Sequence, residues 1–400
     1  MRRPILLTGA AVAALAAGLI SWHFQGEANA VNKGNPRFTV DTAWPKPLPN
    51  NWLVGQVAGV AVDRHDRIWI VQRQSTLTAD ERGSDPAPGN PVRSVCCNRA
   101  PAVLVFNRDG DLLKAWGGAA DPGFLTTKCT PAMGCEWPTN EHGIYVDHLD
   151  YVYVAGNGGG NHQVLKFTND GSFVYQIGKA GLTGGSNNTN GSPNRTPLLG
   201  QPADMEVDPT NNELYIADGY QNKRVLVVDA ATGLYKRHWG AYGNVPDDTN
   251  PGPYDPNAPV ATQFRNPVHC VRIANDGLVY VCDRVNNRYQ IFKKDGTFVR
   301  EALLERDTLG NGAMWDIDLS PDLAQSELYN ADGENNKVWV FSRATDKVIG
   351  SFGRNGRSAG QFHWVHNLAV DSRGNIYTAE VDTGKRAQKF TRHDQGYNGR

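Results

Sequence analysis

One strand pattern recurs six times along this 400-residue chain, and a recurrence of that kind constrains the fold more than any local signal does. Each unit opens with a short, mostly apolar run: Gly59 to Asp63, Gly143 to Asp147, Asp204 to Asp208, Cys270 to Ala274, Asp316 to Ser320 and Asn367 to Asp371. A polar turn follows, then a second run carrying an aromatic residue, as in Ile68-Trp69-Ile70-Val71, Val152-Tyr153-Val154 and Ile376-Tyr377-Thr378. Third and fourth runs complete four short antiparallel strands separated by Asp-Gly-type turns. Six such units close into a ring, which makes the fold all-β and the architecture a six-bladed β-propeller. Blades begin near residues 57, 141, 202, 268, 314 and 365, within a single domain covering 31–400. The last unit lacks a fourth strand after Lys389-Phe390-Thr391. The N-terminal strand Arg37-Phe38-Thr39-Val40 is expected to supply it and close the ring.

Residues 1–30 read as a secretory signal: Arg2-Arg3, an apolar stretch from Ile5 to Ile20, then Ala28-Asn29-Ala30 as a small-residue cleavage site. The expectation is a secreted or periplasmic, monomeric protein with no membrane partner once the signal is removed. A formal net charge of -1 without a Lys/Arg-rich run excludes an electrostatic footprint for nucleic acid. The six cysteines are an even set, consistent with disulfides in an exported chain. Cys270 and Cys282 flank the turn Asn275-Asp276-Gly277 and fall opposite each other on a hairpin, so they are expected to bridge. Pairing among Cys96, Cys97, Cys129 and Cys135 stays open.

Register within the repeat carries the chemistry. Five residues before the end of each first run stand Ala58, His142, Ala203, His269, Trp315 and His366, so histidine occupies every second blade. In a six-fold ring those three blades are related by about 120°, and equivalent positions on their innermost strands converge on the axis. Three imidazoles with a free fourth position suit zinc or another divalent transition metal. The second strands end on the same face, which brings Arg73, Tyr220 and Arg284 to its mouth. A fixed cation and a phenol there can hold a substrate carboxylate and move a proton. Asp218, Asp283, Asp332 and Glu380 end the same strands and read as anchors for loop amides and neighbouring arginines.

Several segments resemble the catalytic core of the peptidyl-α-hydroxyglycine α-amidating lyases, within the wider NHL-repeat propellers. They include Gly55 to Asp63, Glu141-His142-Gly143-Ile144, Ala217 to Arg224, Pro267-Val268-His269, Asp283 to Arg288 and Val365-His366. The resemblance implies zinc on His142, His269 and His366, Tyr220 as general base, and Arg73 as the group that orients substrate. Arg284 matches another arginine of that family's mouth. It further implies a structural calcium held by the main-chain carbonyls of Val60 and Ile144. The reaction implied is cleavage of a carbinolamine C–N bond in a small-molecule or peptide-like substrate. Trp364 and Asn367 depart from that family's methionine and aspartate, which changes pocket shape and the surroundings of the metal. Two other readings use the same ring. A non-catalytic NHL propeller would bind a protein or polysaccharide through aromatic residues such as Trp315 and Trp364. A calcium-dependent lactonase would require carboxylate and Asn ligands in place of the histidines.

Overall fold

The computed structural model describes residues 38–85 and 91–393. The segment read as an export signal, 1–30, and Arg37 lie outside these residues. Six four-stranded antiparallel sheets form the blades of a propeller, each with its first strand innermost. Those inner strands are Gln56–Val62, Glu141–Val146, Pro202–Asp208, Val268–Ile273, Asp316–Leu319 and Val365–Val370. Burial falls from the axis outward. Second strands such as Ile68–Arg73 and Glu213–Asp218 are buried throughout, while the outer strands Tyr235–Trp239 and Lys347–Phe352 leave much of their length in solvent.

The repeat places one large aromatic on every second strand: Trp69, Tyr153, Tyr215, Tyr280, Tyr329 and Tyr377, all inaccessible to solvent. In three blades a carboxylate closing the first strand ties that ring down. Trp69 donates to Asp63 at 2.8 Å, Tyr153 to Asp147 at 3.2 Å and Tyr377 to Asp371 at 3.1 Å. The same carboxylates accept turn amides, as Asp63 does from His65 and Arg67, so each turn is bonded to the core it borders. Six apolar clusters then fill the six gaps between blades, the last joining Tyr377 and Ala379 of the sixth blade to Ile70 and Phe106 of the first.

The ring closes through the N-terminal strand. Phe38–Val40 pairs antiparallel with Arg386–Arg392 in the register Phe38 to Arg392, Thr39 to Thr391 and Val40 to Phe390. Cys270 and Cys282 are direct cross-strand partners and are bridged, with Cα atoms 4.8 Å apart. Cys129 bridges Cys135, and Cys96 bridges its neighbour Cys97. Among the described residues no helix is long and apolar enough to cross a membrane.

Phe38 packs on Phe352 and Tyr329, with ring centres 4.9 and 5.9 Å away, and so bonds the closing strand to the fifth blade as well as the sixth. Because the side chain is only half-buried, Phe38→Ala should cost roughly 2 kcal/mol, about half the range for a fully buried Phe. Urea unfolding of wild type and variant measures this; a change near zero would mean that the closing strand contributes little.

Candidate metal centre

The innermost strands do not run in unbroken register with their neighbours. In five blades the pairing shifts where the strand begins, between Val57 and Gly59, Glu141 and Ile144, Pro202 and Asp204, Val268 and Cys270, and Val365 and Asn367. The residues spanned by these shifts include Ala58, His142, Ala203, His269 and His366. A bulge re-aims the side chain it carries. Here it accompanies three imidazoles that meet near the axis, with ring centres 4.6, 4.9 and 5.0 Å apart and ligand nitrogens all within 4.8 Å of one another. Among the described residues this is the group of His, Cys, Asp or Glu side chains gathered closely enough to hold an ion.

Each imidazole is held from behind by the next blade. Nδ1 of His142 donates to the carbonyl of Ala203 at 2.7 Å, Nδ1 of His366 to that of Ala58 at 2.7 Å, and Nδ1 of His269 to that of Trp315. A carbonyl only accepts, so the proton sits on Nδ1 and the Nε2 lone pair is left free. Burial pushes all three imidazoles well below their usual titration range. Arg73 adds to the shift in each, as do neighbouring imidazoles or Arg284. Neutral, oriented and convergent, this donor set fits a borderline divalent metal such as zinc.

The mouth residues take distinct places. The Tyr220 hydroxyl lies 2.9 Å from His142 Nε2 and 3.0 Å from His269 Nε2. Arg284 donates to that same hydroxyl at 3.1 Å, and its guanidinium lies 4.5 Å from the ring centre of Trp315. Arg73 is buried and donates to the Glu141 carbonyl at 2.7 Å and to Gln56 Oε1 at 2.8 Å, with Asn157 Oδ1 at 3.4 Å. Its acceptors are neutral, and burial lowers its affinity for its proton. Among the described residues neither Arg73 nor Arg284 forms an ion pair with a carboxylate, and Arg284 Nε is buried without a hydrogen-bond partner. Two guanidiniums so placed favour an anion beside the histidines. Trp315 and Trp364 pack edge to face at 5.4 Å and form an aromatic wall next to His366. Asp218 and Asp283, by contrast, are fully buried against Arg224 and Arg288 and belong to the framework.

Two features have no local sequence signal. Glu141, next to His142, is a buried carboxyl that accepts from Trp137 at 2.8 Å, and burial raises it to about 7. The second concerns the calcium expected at Val60 and Ile144. The Val60 amide donates to Asn367 Oδ1, away from its partner strand, so antiparallel geometry turns the Val60 carbonyl to the axis too. At the equivalent carbonyl of the fourth blade, that of Val271, Arg272 donates at 2.7 Å. A guanidinium already stands at this level, so the residues present do not fit a calcium ion there.

No model of a known protein family matches the sequence. The chain is a distant relative of NHL repeat-containing and peptidylglycine α-amidating proteins. It is 27% identical to mouse NHL repeat-containing protein 3 over 267 residues, covering 65% of this chain and 58% of that protein. It is 27% identical to Xenopus laevis peptidyl-glycine alpha-amidating monooxygenase B over 346 residues, 85% of this chain and 34% of the relative. Against Drosophila melanogaster peptidyl-alpha-hydroxyglycine alpha-amidating lyase 1 the identity is 26% over 382 residues, 90% of this chain and 60% of the relative. The chain thus spans three-fifths or less of the length of these relatives. A solved streptogramin B lyase structure shares the fold at a TM-score of 0.51 and 11% identity, over 89% of this chain and 98% of that one.

Removing one imidazole should weaken Co²⁺ or Zn²⁺ binding by His142→Ala roughly 100-fold or more. Calorimetric titration of metal-stripped protein measures it, and an unchanged affinity would place the ion elsewhere. Glu141 generates a pH-dependent difference. Unfolded, its carboxyl loses the proton near the ordinary value of 4.5, whereas folded it keeps it to about 7. Between those values the folded state binds more protons, so this group makes wild type less stable as pH rises. Relative to wild type, Glu141→Gln should therefore gain roughly 3 kcal/mol from below pH 4.5 to above pH 7. A difference independent of pH would contradict the assignment.

Proposed function

We propose that this relative of the amidating lyases is an exported, metal-dependent lyase that cleaves the C–N bond of an N-acyl-α-hydroxyglycine or a similar carbinolamine. The observation that carries the reading is one hydroxyl, that of Tyr220, within hydrogen-bond distance of two convergent imidazoles and of Arg284. A zinc ion on His142, His269 and His366 would supply Lewis-acid polarisation of the substrate hydroxyl.

The remaining work falls to side chains of this protein. Tyr220, as phenolate, takes the proton from the carbinolamine O–H. The O–H electrons form the carbonyl, the C–N electrons leave with nitrogen, and nitrogen ends with a proton, giving an amide and glyoxylate. Arg284 donates to the Tyr220 oxygen and so fixes its position between the histidines and the substrate. Arg73, bonded only to neutral acceptors, is free to attract the glycine carboxylate and fix the reacting carbon. The aromatic wall of Trp315 and Trp364 limits water on the His366 side. The three disulfides and the N-terminal segment support export.

Tyr220→Phe removes the hydroxyl but little volume. It should lower kcat on N-benzoyl-α-hydroxyglycine by 10²- to 10⁴-fold, the range for loss of a positioned base, while metal content stays at wild-type level. Glyoxylate release measures it. Full activity in the variant would remove Tyr220 from the chemistry. No release by metal-loaded wild type would favour the binding-propeller reading.

A further inference from the structure

The innermost strand of each blade is a sheet edge turned toward the axis, so its outward N–H groups have no strand to pair with. At three of the six blade junctions, side chains from the preceding blade accept these protons. Asp204 accepts from Val271 at 3.1 Å, Glu206 from Ile273 at 3.0 Å, Asp316 from Leu368 at 2.9 Å and Asp318 from Val370 at 2.8 Å, while Asn367 accepts from Val60. Four of the five acceptors are acidic side chains in a water-poor channel, and two of them, Asp204 and Asp316, meet a single guanidinium.

Arg272, on the fourth blade, reaches into this group with its side chain only 12% exposed. It pairs with Asp204 of the third blade and, at 3.3 Å, with Asp316 of the fifth, and donates to the carbonyl of Val271. Asp316 also accepts from the Asn367 amide, which links the chain of bonds to the sixth blade and, through Val60, to the first. The carboxylates reach different amides and, among the described residues, do not form a cluster close enough to ligate one ion.

We infer that Arg272 is the axial cation of this propeller, standing where a structural divalent ion would otherwise be required, so that the ring closes and holds without calcium. Arginine suits the position because its planar fork reaches carboxylates of two blades at once. The inference is independent of the reaction at the histidines.

The test uses the whole chain, stripped of metal on a chelating resin and reloaded with zinc alone. Thermal unfolding with and without added CaCl₂ should give the same Tm, and elemental analysis of protein purified without chelator should find no stoichiometric calcium. A stoichiometric calcium, or a Tm that rises by several degrees on adding it, overturns the inference. Arg272→Gln leaves the carboxylates without their cation. Its Tm should fall and be partly restored by CaCl₂, with Arg272→Lys between it and wild type. A Gln variant as stable as wild type also overturns it. If the Gln variant does not fold, the wild-type measurements and the Lys variant decide.

Discussion

Closing six sheets into a ring leaves every innermost strand paired on one side only, and the way those unpaired edges are satisfied organises the axis from one end to the other. At the mouth, carbonyls of Ala58, Ala203 and Trp315 accept protons from imidazoles of the neighbouring blades. Deeper in, amides of Val271, Ile273, Leu368 and Val370 donate to carboxylates. An edge that would otherwise expose unmet donors and acceptors thereby becomes the frame of a donor site. Even and odd blades have complementary parts at the mouth: one set carries histidine, the other offers the main-chain oxygen that fixes its tautomer.

The electrostatics of the mouth follow from that frame. Burial keeps the imidazoles neutral, so they contribute lone pairs and no charge. Arg73 and Arg284 contribute charge held by neutral partners. A buried cation without a counter-ion is costly to keep, and an anionic ligand relieves that cost. The carboxylates that could have neutralised these arginines are engaged elsewhere: Asp218 with Arg224, Asp283 with Arg288, Glu380 with Arg386. The framework thus separates paired charges in the blade bodies from unpaired ones at the mouth.

Much of this was legible in the sequence because it repeats. Six recurrences defined the blades, and a fixed register put His142, His269 and His366 in equivalent slots, which geometry then brought together. The Cys270–Cys282 pairing was legible for the same reason, since a short turn fixes which residues face each other. What the sequence did not disclose was long-range or carried by the main chain. A carbonyl acceptor at Ala203 has no side-chain signature, and a bulge looks like any other strand residue. Gln56 and Asn157 hold Arg73 across 17 and 84 residues, and nothing local marks either as its partner. The calcium expectation came from a family pattern, and Arg272, three residues after a metal-site histidine on the same strand, is what displaces it.

The central claim is that three imidazoles from alternate blades form one coordination shell. X-ray absorption at the metal edge of the purified, zinc-loaded protein reads that shell directly. The expected spectrum has three imidazole nitrogens at about 2.0–2.1 Å, completed by oxygen, with no sulfur. A shell of carboxylates or thiolates, or zinc that washes away without a defined shell, would contradict it.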